Sequence, residues 1–442
     1  MEKEKYTFIH LSDIHFGQEK DGTIRVHDDI RAQLLNDCKR VVEESTIPPD
    51  GILITGDIAY KGAREEYESA GKWIDQLAQA VGCDVILVRT IPGNHDIDRT
   101  KIHHFCKLAH EDVRCKQADE VDACLEEMLK DEEESNPLLA KIVAYREFAA
   151  RFGCDFDSVN KPIWRKEYAF PVGRKLILVG MNSVQISDST DAEGRMILGN
   201  NQYVLPEEDN VEYVVLVHHP VEWLKDRSNA RKYLMRARVI MVGHEHELRI
   251  HKVQDEYQRE QLQIFSGATN PPEKDLDYRY NWLDFSLVED QGHMSLRVNV
   301  RPRLWDRNQT KFVPDSARLS GTPTFDLRCP RYSLTPTAAA AIPSPTDRRN
   351  GDEERVPMAD PVEHNFERLQ YLFWTYLKWD ERLKALVDVD VLPSVPAQPM
   401  PQTLERLALE TAKRDHKLEP LWNKVMEFVP TEKKSPNPFR TT

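Results

Sequence analysis

Five short stretches of the 442-residue chain follow a run of branched apolar residues with aspartate, asparagine or histidine. Such a run is typical of a buried parallel strand, and the polar residues after it then lie in the loop at the strand's carboxyl end. In an open α/β sheet these loops meet along one edge, so their side chains are expected to converge in one crevice. The stretches are HLSDIH with Asp13 and His15, ILITGD with Asp57, IPGNHD with Asn94 and His95, VVLVHHP with His218, and MVGHEH with His244 and His246.

The converging side chains are imidazoles, carboxylates and one amide, with no thiolate among them. This mixture suits manganese, iron or zinc, and it matches neither a closed structural zinc site nor an all-oxygen calcium site. Six or seven ligands are too many for one ion. The stretches therefore predict two divalent metal ions that share a bridging carboxylate, with manganese favoured and iron or zinc as the alternatives.

Together the stretches resemble the calcineurin-like metallophosphoesterase family, whose motifs run D-x-H, GD, GNH followed by D or E, H, and GHxH. The order is complete here, and the likeness covers about the first 300 residues. It implies an α/β fold of two packed mixed sheets flanked by helices, the metallophosphoesterase sandwich. The matching segments are Asp13-Ile14-His15, Gly56-Asp57, Gly93-Asn94-His95-Asp96, His218 and Gly243-His244-Glu245-His246.

Position by position, the resemblance implies a role for each polar residue of these motifs. A hydroxide that bridges the two ions is expected to attack phosphorus. His95 is expected to bind the phosphoryl group and protonate the leaving oxygen, and Asp96 to orient the other nitrogen of His95. The implied metal ligands are Asp13, His15 and His246 for the first ion, Asn94, His218 and His244 for the second, and Asp57 as the bridge between them.

Two further histidines lie beside the predicted ligands in the sequence. His219 follows His218 directly and is predicted either to support the ligands or face substrate, with simple packing as an even alternative. His10 lies upstream of the first motif and is predicted to support that loop or to be structural.

The resemblance implies a metal-dependent phosphoric ester hydrolase whose substrate is a phosphodiester, either a nucleotide or a nucleic acid. Diesters are favoured over monoesters because HLSDIHFG and GHEH are similar to the motifs of cyclic-nucleotide phosphodiesterases and repair nucleases. Two alternatives stay open. One is a nuclease that acts on DNA or RNA ends with a protein partner, and the other is an effector or scaffold protein whose C-terminal helices mediate protein interaction.

Composition favours a globular cytoplasmic protein that does not enter a membrane. The amino terminus leads straight into the first predicted strand without an apolar signal region, and no apolar run approaches the length of a membrane span. The seven cysteines form no C-x-x-C pair, as expected in a reducing compartment. The net charge of -14 disfavours broad binding to nucleic acid, although a pair of metal ions would supply its own positive charge to a short substrate.

Strands and helices alternate in the first part of the chain, as in βαβ units. Helices are predicted over 26–44 and 65–81, and the third strand over 85–91. Between about 100 and 164 helical patterns replace the strands. We predict a helical insertion there that caps the site, with a solvated acidic surface as the alternative. As a cap, its acidic DEEE run would repel long polyanions and favour small substrates. Later strands are predicted over 175–181, 213–217, 239–242 and 262–265, followed by a hairpin that turns at 289–292.

Four segments make up the predicted domain organisation. The catalytic domain spans residues 1–314, and a linker rich in proline, alanine and threonine spans 315–361. Residues 362–430 form a small all-α module, with helical stretches over 363–387 and 404–428, and 431–442 form a tail. The module loosely resembles the helical adaptor domains of bacterial conflict and signalling proteins. It is predicted to bind a protein partner, and packing on the catalytic domain is the alternative.

Overall fold

The computed structural model describes residues 2–18, 24–117, 120–130, 136–156, 162–271, 277–290, 292–315, 323–332, 361–396 and 398–440. Their strands form two mixed sheets. The first sheet contains β1 (Lys5–Leu11), β2 (Gly51–Ile54), β3 (Val88–Thr90), β10 (Arg279–Asp290), β11 (His293–Asp306), β12 (Lys311–Pro314) and β13 (Thr324–Arg328). The second contains β4 (Ile163–Phe170), β5 (Arg174–Met181), β6 (Val211–Val217), β7 (Ala237–Val242), β8 (Leu248–Gln254) and β9 (Glu260–Ser266).

Helices flank both sheets, which confirms the predicted sandwich. Short 3-10 turns lie at 85–87, 99–101, 140–142, 221–223 and 431–433. No helix in the described part of the chain has the length and apolar character needed to span a membrane. The α-helices are α1 (Ile24–Ser45), α2 (Arg64–Ala80), α3 (His104–Cys115), α4 (Val121–Leu129), α5 (Val143–Ala150), α6 (Asn200–Tyr203), α7 (Arg227–Leu234), α8 (Pro361–Tyr376), α9 (Trp379–Asp388), α10 (Gln402–Arg414) and α11 (Leu418–Phe428).

Parallel strands at the centre of each sheet bring the polar loops together. In the first sheet β1, β2 and β3 are parallel neighbours, and in the second β5, β6, β7 and β9 run parallel in that order. The strands β2, β6 and β7 are buried along their whole length, as predicted from the apolar runs that make up most of each strand. The carboxyl ends of β1, β2, β3, β6 and β7 therefore deliver the five motif loops.

The structure corrects several predicted strands. The segment predicted as a strand over 85–91 begins as a 3-10 turn, and only Val88–Thr90 pairs with β2. The Asp84 carboxylate accepts the Ile86 N–H and so favours the turn. The antiparallel strands β4 and β8 were not predicted, because they mix polar and apolar residues and lack the apolar run of the central strands.

The predicted linker begins too early in the chain. Residues 324–328 form β13, which pairs antiparallel with β11, and Tyr332 beyond it is buried with its hydroxyl bonded to the Lys175 carbonyl at 2.7 Å. The strand is five residues long, and its alternation of apolar residues, from Phe325 to Leu327, is too short to be distinguished from the sequence around it. The rest of the predicted linker, 316–322 and 333–360, lies outside the described residues.

The helical insertion divides between two hydrophobic clusters. Helices α3 and α4 pack through Val113 and Leu125 on Ile186 and Ile197, in the segment that follows β5. Helix α5 instead enters the main core of the domain, where Tyr145 is fully buried. The DEEE run at 131–134 lies outside the described residues, so its predicted capping role stays a prediction.

The C-terminal module contains four helices, where the sequence predicted two helical stretches. The first stretch breaks between α8 and α9 at residues 377–378, and α9 starts where the Glu381 carboxylate accepts the Lys378 N–H at 2.8 Å. The second stretch breaks after Arg414, because His416 takes a left-handed backbone conformation with φ of 56°. Both breaks occur without proline or glycine, so the residue types gave no signal for them.

Helix α8 packs on the catalytic domain beside β3. The Tyr371 ring lies 6.1 Å from the Phe152 ring, and its hydroxyl donates to Asp75 at 2.8 Å. The Glu367 carboxylate lies 3.3 Å from the Arg89 guanidinium of β3 and 2.6 Å from the Lys166 ammonium. The module therefore shares one hydrophobic core with the catalytic domain.

Candidate metal centre

The five motif loops bring all the predicted ligands into one cluster at the carboxyl edges of the two sheets. Ligand atoms of Asp13, His15, Asp57 and His246 lie within 4.8 Å of one another. On the neighbouring side, the Asn94 Oδ1 atom lies 3.0 Å from both His218 Nε2 and His244 Nδ1. The structure thus groups the side chains into the two sets that the motifs predict.

Asp57 joins the two sets. Its Oδ2 atom lies 3.3 Å from His15 Nε2 and 3.5 Å from His218 Nε2, and its Oδ1 atom accepts the backbone N–H of His95 at 2.7 Å. The carboxylate is 1% exposed, so it faces these partners and not solvent. Among the seven predicted ligands, Asp57 contacts a histidine from each set.

Backbone carbonyls fix the tautomers of two of the histidines. The Nδ1 atom of His15 donates to the Asn270 carbonyl at 3.0 Å, and Nδ1 of His218 donates to the Thr55 carbonyl at 2.8 Å. Their Nε2 atoms therefore face the Asp57 carboxylate, to which a protonated ring donates a hydrogen bond and a neutral ring presents a lone pair. Lone pairs that face one another at these distances repel unless positive charge lies between them, so the donor set fits divalent metal ions.

The Asp13 carboxylate gives a second test of whether metal ions fit. It is fully buried, and neither oxygen accepts a hydrogen bond from a group in the described chain. The His246 Nε2 atom lies 3.3 Å from Oδ1. A buried carboxylate with so little compensation is costly, and a metal ion would offset that cost. The residues present therefore fit the predicted pair of ions.

The ligand loops hold strained backbone conformations. Five predicted ligands lie in the left-handed region, which residues other than glycine seldom adopt. Each such residue costs on the order of 1 kcal/mol and persists only where the surrounding structure requires it, most often at functional sites. The φ values are 53° for Asp13, 52° for His15, 53° for Asp57, 68° for His244 and 53° for His246.

Two glycines allow these loops to approach closely. A Cβ atom on Gly93 would lie 2.1 Å from Asp57 Oδ1, and one on Gly56, whose φ is 97°, would lie 2.5 Å from His218 Nδ1. No side chain fits at either position without displacing a predicted ligand. The GD and GNH motifs therefore need glycine for packing as well as for the turn.

His95 lies at the edge of the cluster and touches its first set. Its ring centroid is 4.9 Å from that of His15, and its Nδ1 atom donates to the Tyr60 carbonyl at 3.0 Å. The Tyr60 ring stacks on the imidazole with centroids 5.0 Å apart and planes 20° apart. This leaves Nε2 of His95 as the nitrogen available to a ligand.

The prediction that Asp96 orients His95 is wrong, because the Tyr60 carbonyl occupies that position. The fully buried Asp96 carboxylate accepts the N–H groups of Gly93 at 2.8 Å and Ala59 at 2.8 Å, and the Tyr67 hydroxyl at 2.9 Å. It therefore ties the loop after β2 to the loop after β3. Asp96 positions the loops that carry Asp57 and Asn94, and it has no contact with the His95 imidazole.

His219 and His10 are buried beside the predicted ligands and contact them or their loops. His219 is fully buried, and its Nδ1 atom lies 2.9 Å from Ser183 Oγ. Its ring packs 4.7 Å from that of His244, and one of its nitrogens lies within 4.8 Å of ligand atoms of His218 and His244. His10 lies on β1 and bonds through Nε2 to Thr55 Oγ1 at 3.0 Å.

Sequence reasoning missed four residues that shape the centre. Tyr60, Thr55 and Asn270 act through backbone carbonyls, which carry no signal in residue type. Trp223 packs against His244, with ring centroids 4.3 Å apart. Trp223 lies five residues after His218. An aromatic residue so close to a ligand motif was the one feature of the sequence that could have indicated its position beside the cluster.

The charges of the cluster shift several ionisation equilibria. Burial raises the pKa of Asp57, but the charge of His218 and the hydrogen bonds from His15 and His218 outweigh it and hold that pKa well below the ordinary value. Burial lowers the pKa of His95, and the nearby Asp57 charge opposes that effect. Asp57 is thus anionic, as its predicted bridging role requires, and the lowered pKa of His95 favours its neutral form.

Two mixed sheets with aspartate, asparagine and histidine clustered at their carboxyl edges define a metallophosphoesterase fold. The chain belongs to the calcineurin-like phosphoesterase family, whose model matches residues 6–248. Members of this family are metal-dependent phosphoester hydrolases. The predicted resemblance is confirmed. A separate model, that of the GTPase-associated adaptor domain, matches residues 365–427 in the C-terminal module.

Similar proteins align with only part of this chain. An uncharacterized metallophosphoesterase-like protein of Bacillus subtilis, YydB, is 34% identical over 96 residues, which are 22% of this chain and 18% of that protein. A cAMP/cGMP dual specificity phosphodiesterase of Mycobacterium tuberculosis is 30% identical over 101 residues, which are 23% of this chain and 30% of that protein. The chain thus spans less than a third of either relative.

Solved structures with distant similarity include two enzymes. The NAD nucleotidase of Haemophilus influenzae is 11% identical with a TM-score of 0.32, and the match covers 70% of this chain and 53% of that one. The sulfate thiohydrolase SoxB of Thermus thermophilus is 11% identical with a TM-score of 0.33, covering 72% and 58%.

Proposed function

We propose that this protein hydrolyses phosphodiester bonds with the help of two divalent metal ions, manganese being the ion we favour. The observation that carries the proposal is the position of Asp57, whose carboxylate contacts His15 of one ligand set and His218 of the other. We assign Asp13, His15 and His246 to the first ion and Asn94, His218 and His244 to the second, with Asp57 shared.

The ions, when bound, supply positive charge for the phosphoryl oxygens and make a water molecule more acidic. The chain holds its ligands ready for this task before substrate arrives. The Asn270 and Thr55 carbonyls fix the rings of His15 and His218, and Asp96 holds together the loops that carry Asp57 and Asn94. Pre-positioned ligands need no reorganisation during the reaction, which favours catalysis.

His95 is the residue placed to assist the leaving group. Its Nδ1 atom is bonded to the Tyr60 carbonyl, and its Nε2 atom bonds to no group in the described chain. A protonated His95 donates from Nε2, so it is able to bind a phosphoryl oxygen or protonate the ester oxygen that departs.

Small diesters suit the protein better than long nucleic acids. The chain has a net charge of -14, whereas binding along a nucleic acid backbone usually depends on clustered lysine and arginine. The partial similarity to a phosphodiesterase of cyclic nucleotides supports the same choice. None of the seven cysteines, all within the described residues, forms a disulfide. We therefore propose that it acts on small diesters in the cytoplasm.

A substrate panel tests this function. The panel contains an aryl phosphodiester, the corresponding monoester, cyclic AMP and cyclic GMP, and short single- and double-stranded DNA and RNA, each with Mn²⁺ and each repeated with the Asp57→Asn protein. We expect hydrolysis of the small diesters that the variant lacks. Turnover of nucleic acid alone would replace the proposal with the nuclease alternative, and turnover of the monoester alone would overturn it.

We further propose that the C-terminal module binds a protein partner. Residues 365–427 match the GTPase-associated adaptor domain, which makes a protein with a GTPase domain the partner class to test. Helix α10 exposes two large apolar side chains, Leu404 at 44% and Leu407 at 60%. Apolar side chains that are exposed next to each other form a patch of the kind that another protein can cover.

Binding to purified GTPase-domain proteins from the same organism tests the adaptor proposal. The double variant Leu404→Glu and Leu407→Glu is expected to lose the complex in sedimentation velocity while keeping its phosphodiesterase activity. A complex of unchanged affinity would exclude this face of α10 as the binding surface.

A further inference from the structure

Two partly exposed aromatic side chains border the ligand cluster, one beside each ligand set. Tyr60 stacks on His95, and its ring lies 6.0 Å from that of His15. Trp223 lies beside the other set, with its ring 4.3 Å from that of His244. Both side chains retain part of their solvent exposure. The Tyr60 ring already supports His95, so Trp223 is the aromatic group left for another role.

The backbone of Trp223 is fixed on both sides. Its N–H donates to the Pro220 carbonyl at 2.9 Å in the 3-10 turn after β6, and its carbonyl accepts the Met196 N–H at 2.9 Å. One face of the indole stacks on the buried His219 ring, with centroids 5.7 Å apart and planes 29° apart. The ring is therefore held in place before any ligand binds.

The indole nitrogen of Trp223 is not buried, in contrast to those of the core tryptophans Trp73, Trp282 and Trp422. The buried Trp164, for comparison, donates its Nε1–H to the Thr90 carbonyl at 2.8 Å. The Trp223 Nε1–H bonds to no group in the part of the chain that the structure describes, and it is not among the buried polar atoms. Trp223 thus combines a partly exposed apolar ring with an accessible hydrogen-bond donor next to the ligand cluster.

We propose that Trp223 binds a planar ring on the ester group that stays on phosphorus, and that the enzyme therefore prefers phosphodiesters whose retained group carries a nucleobase or an aryl ring. This inference rests on the proposed phosphodiesterase function and names its substrate class. The ring stacks on the indole while the phosphoryl group lies at the ligand cluster, so Trp223 acts through binding and touches none of the reacting atoms. A sugar or an alkyl group alone lacks the flat surface that the indole recognises.

Stacking of a base on an aromatic side chain contributes about 1–3 kcal/mol, which corresponds to a change in affinity of roughly 5- to 150-fold. Removing the indole is therefore expected to weaken binding of a substrate with a ring and to leave the chemical step intact. The substitution should therefore raise KM and leave kcat unchanged.

Two esters with the same leaving group test the proposal: thymidine 5′-p-nitrophenyl phosphate and methyl p-nitrophenyl phosphate. In both, a water oxygen bonds to phosphorus, the bond to p-nitrophenolate breaks, and the other ester stays. We compare the wild type with Trp223→Ala, Trp223→Phe and, as a control, Trp379→Ala on α9, where the indole is 38% exposed. Phenyl p-nitrophenyl phosphate serves as a third ester that separates an aryl ring from a nucleobase.

The wild type is expected to have a higher kcat/KM for the thymidine ester than for the methyl ester. That ratio should fall about tenfold in Trp223→Ala through KM, and it should remain largely intact in Trp223→Phe and unchanged in Trp379→Ala. A fall limited to the phenyl ester would identify an aryl ring as the group recognised. An unchanged ratio for both ring esters, or an equal loss for all three esters together with lost metal, would overturn the proposal.

A binding measurement tests the role of Trp223 without the need for turnover. Titration calorimetry with Mn²⁺ compares thymidine 5′-monophosphate with methyl phosphate, and Trp223→Ala is expected to weaken the nucleotide about tenfold more than methyl phosphate. Equal affinity of wild type and variant for the nucleotide would contradict the role of Trp223. If the wild type hydrolyses none of the esters, the phosphodiesterase proposal fails, and the calorimetry still tests the inference on its own.

Discussion

The backbone carbonyl of Tyr60 accepts a hydrogen bond from Nδ1 of His95 at 3.0 Å. This contact fixes the neutral tautomer, so Nε2 carries a proton only when the ring is protonated. The Tyr60 ring also stacks on the imidazole and limits its rotation. The loop after β2 therefore supplies both Asp57, the shared ligand that we propose, and the group that orients His95.

Replacing His95 with glutamine should separate metal binding from departure of the leaving group. Metal content is expected to stay at the wild-type level, because the seven assigned ligands remain. Hydrolysis of cyclic AMP, whose alkoxide leaving group needs a proton, should fall about 10²- to 10⁴-fold, whereas methyl p-nitrophenyl phosphate should lose far less. Steady-state kinetics on the two substrates check this, and equal losses on both would show that His95 does not act on the leaving group.

Replacing Asp57 with asparagine should remove metal from both ligand sets. The carboxylate contacts His15 and His218, and a neutral amide lacks the charge that two ions share. Plasma mass spectrometry of protein loaded with Mn²⁺ is expected to find less than one ion per chain, against two in the wild type. The matched control is Asp226→Asn, which alters a buried carboxylate elsewhere in the fold and should keep two ions. Two ions per chain in the Asp57 variant would disprove the bridging role.

Replacing Glu367 with glutamine should weaken the contact between α8 and the catalytic domain. The Arg89 guanidinium, 3% exposed, would lose its anionic partner across this contact, as would Lys166. Because Glu367 keeps some solvent exposure, we expect a loss of about 1–2 kcal/mol in the free energy of unfolding. Glu363→Gln breaks an exposed pair with Lys413 and should cost below about 0.5 kcal/mol. Urea denaturation compares the two, and equal effects would contradict the coupling.

Lys141 should make the stability of the protein depend on pH. Its ammonium is buried, donates to the Ser187 carbonyl at 2.8 Å and lies 3.1 Å from His110 Nε2. Burial lowers its pKa from 10.5 to about 7, although Asp191 and Asp188 oppose the shift. Between these values the unfolded chain binds the additional proton, so stability rises with pH.

The variant Lys141→Met lacks this titration. The free energy of unfolding of the wild type, measured relative to the variant, should increase from about pH 7 toward pH 10 and stay constant below about pH 6. Denaturation curves at several pH values give the difference directly. A difference that stays constant or falls between about pH 7 and pH 10 would mean that the folded protein holds Lys141 charged.

The sequence predicted the elements whose signals are local. Each predicted ligand loop follows an apolar run, and such a run indicates a buried strand without information from other segments. Asp57 and His218 were therefore placed correctly after the ends of β2 and β6. The predicted helices over 26–44 and 65–81 match α1 and α2 within two residues, because their apolar faces repeat with helical spacing.

The remaining features depend on contacts between distant segments. The partner of His95 is a backbone carbonyl 35 residues away, and the fold alone decides that Asp96 bonds to the loop after β2. The strand β13 depends on β11 for its pairing, and its own five residues carry too weak a pattern. Residue types in one stretch of sequence contain no information about such partners.

Metal-dependent hydrolysis of one diester tests the central claim most directly. Protein stripped with a chelator is supplied with increasing Mn²⁺, and release of p-nitrophenolate from methyl p-nitrophenyl phosphate is followed for the wild type and Asp57→Asn, with p-nitrophenyl phosphate as the monoester comparison. We predict that activity on the diester appears only with metal, reaches its maximum at two ions per chain, exceeds activity on the monoester and is absent in the variant. Diester hydrolysis that survives without metal, or that Asp57→Asn retains, would contradict the account.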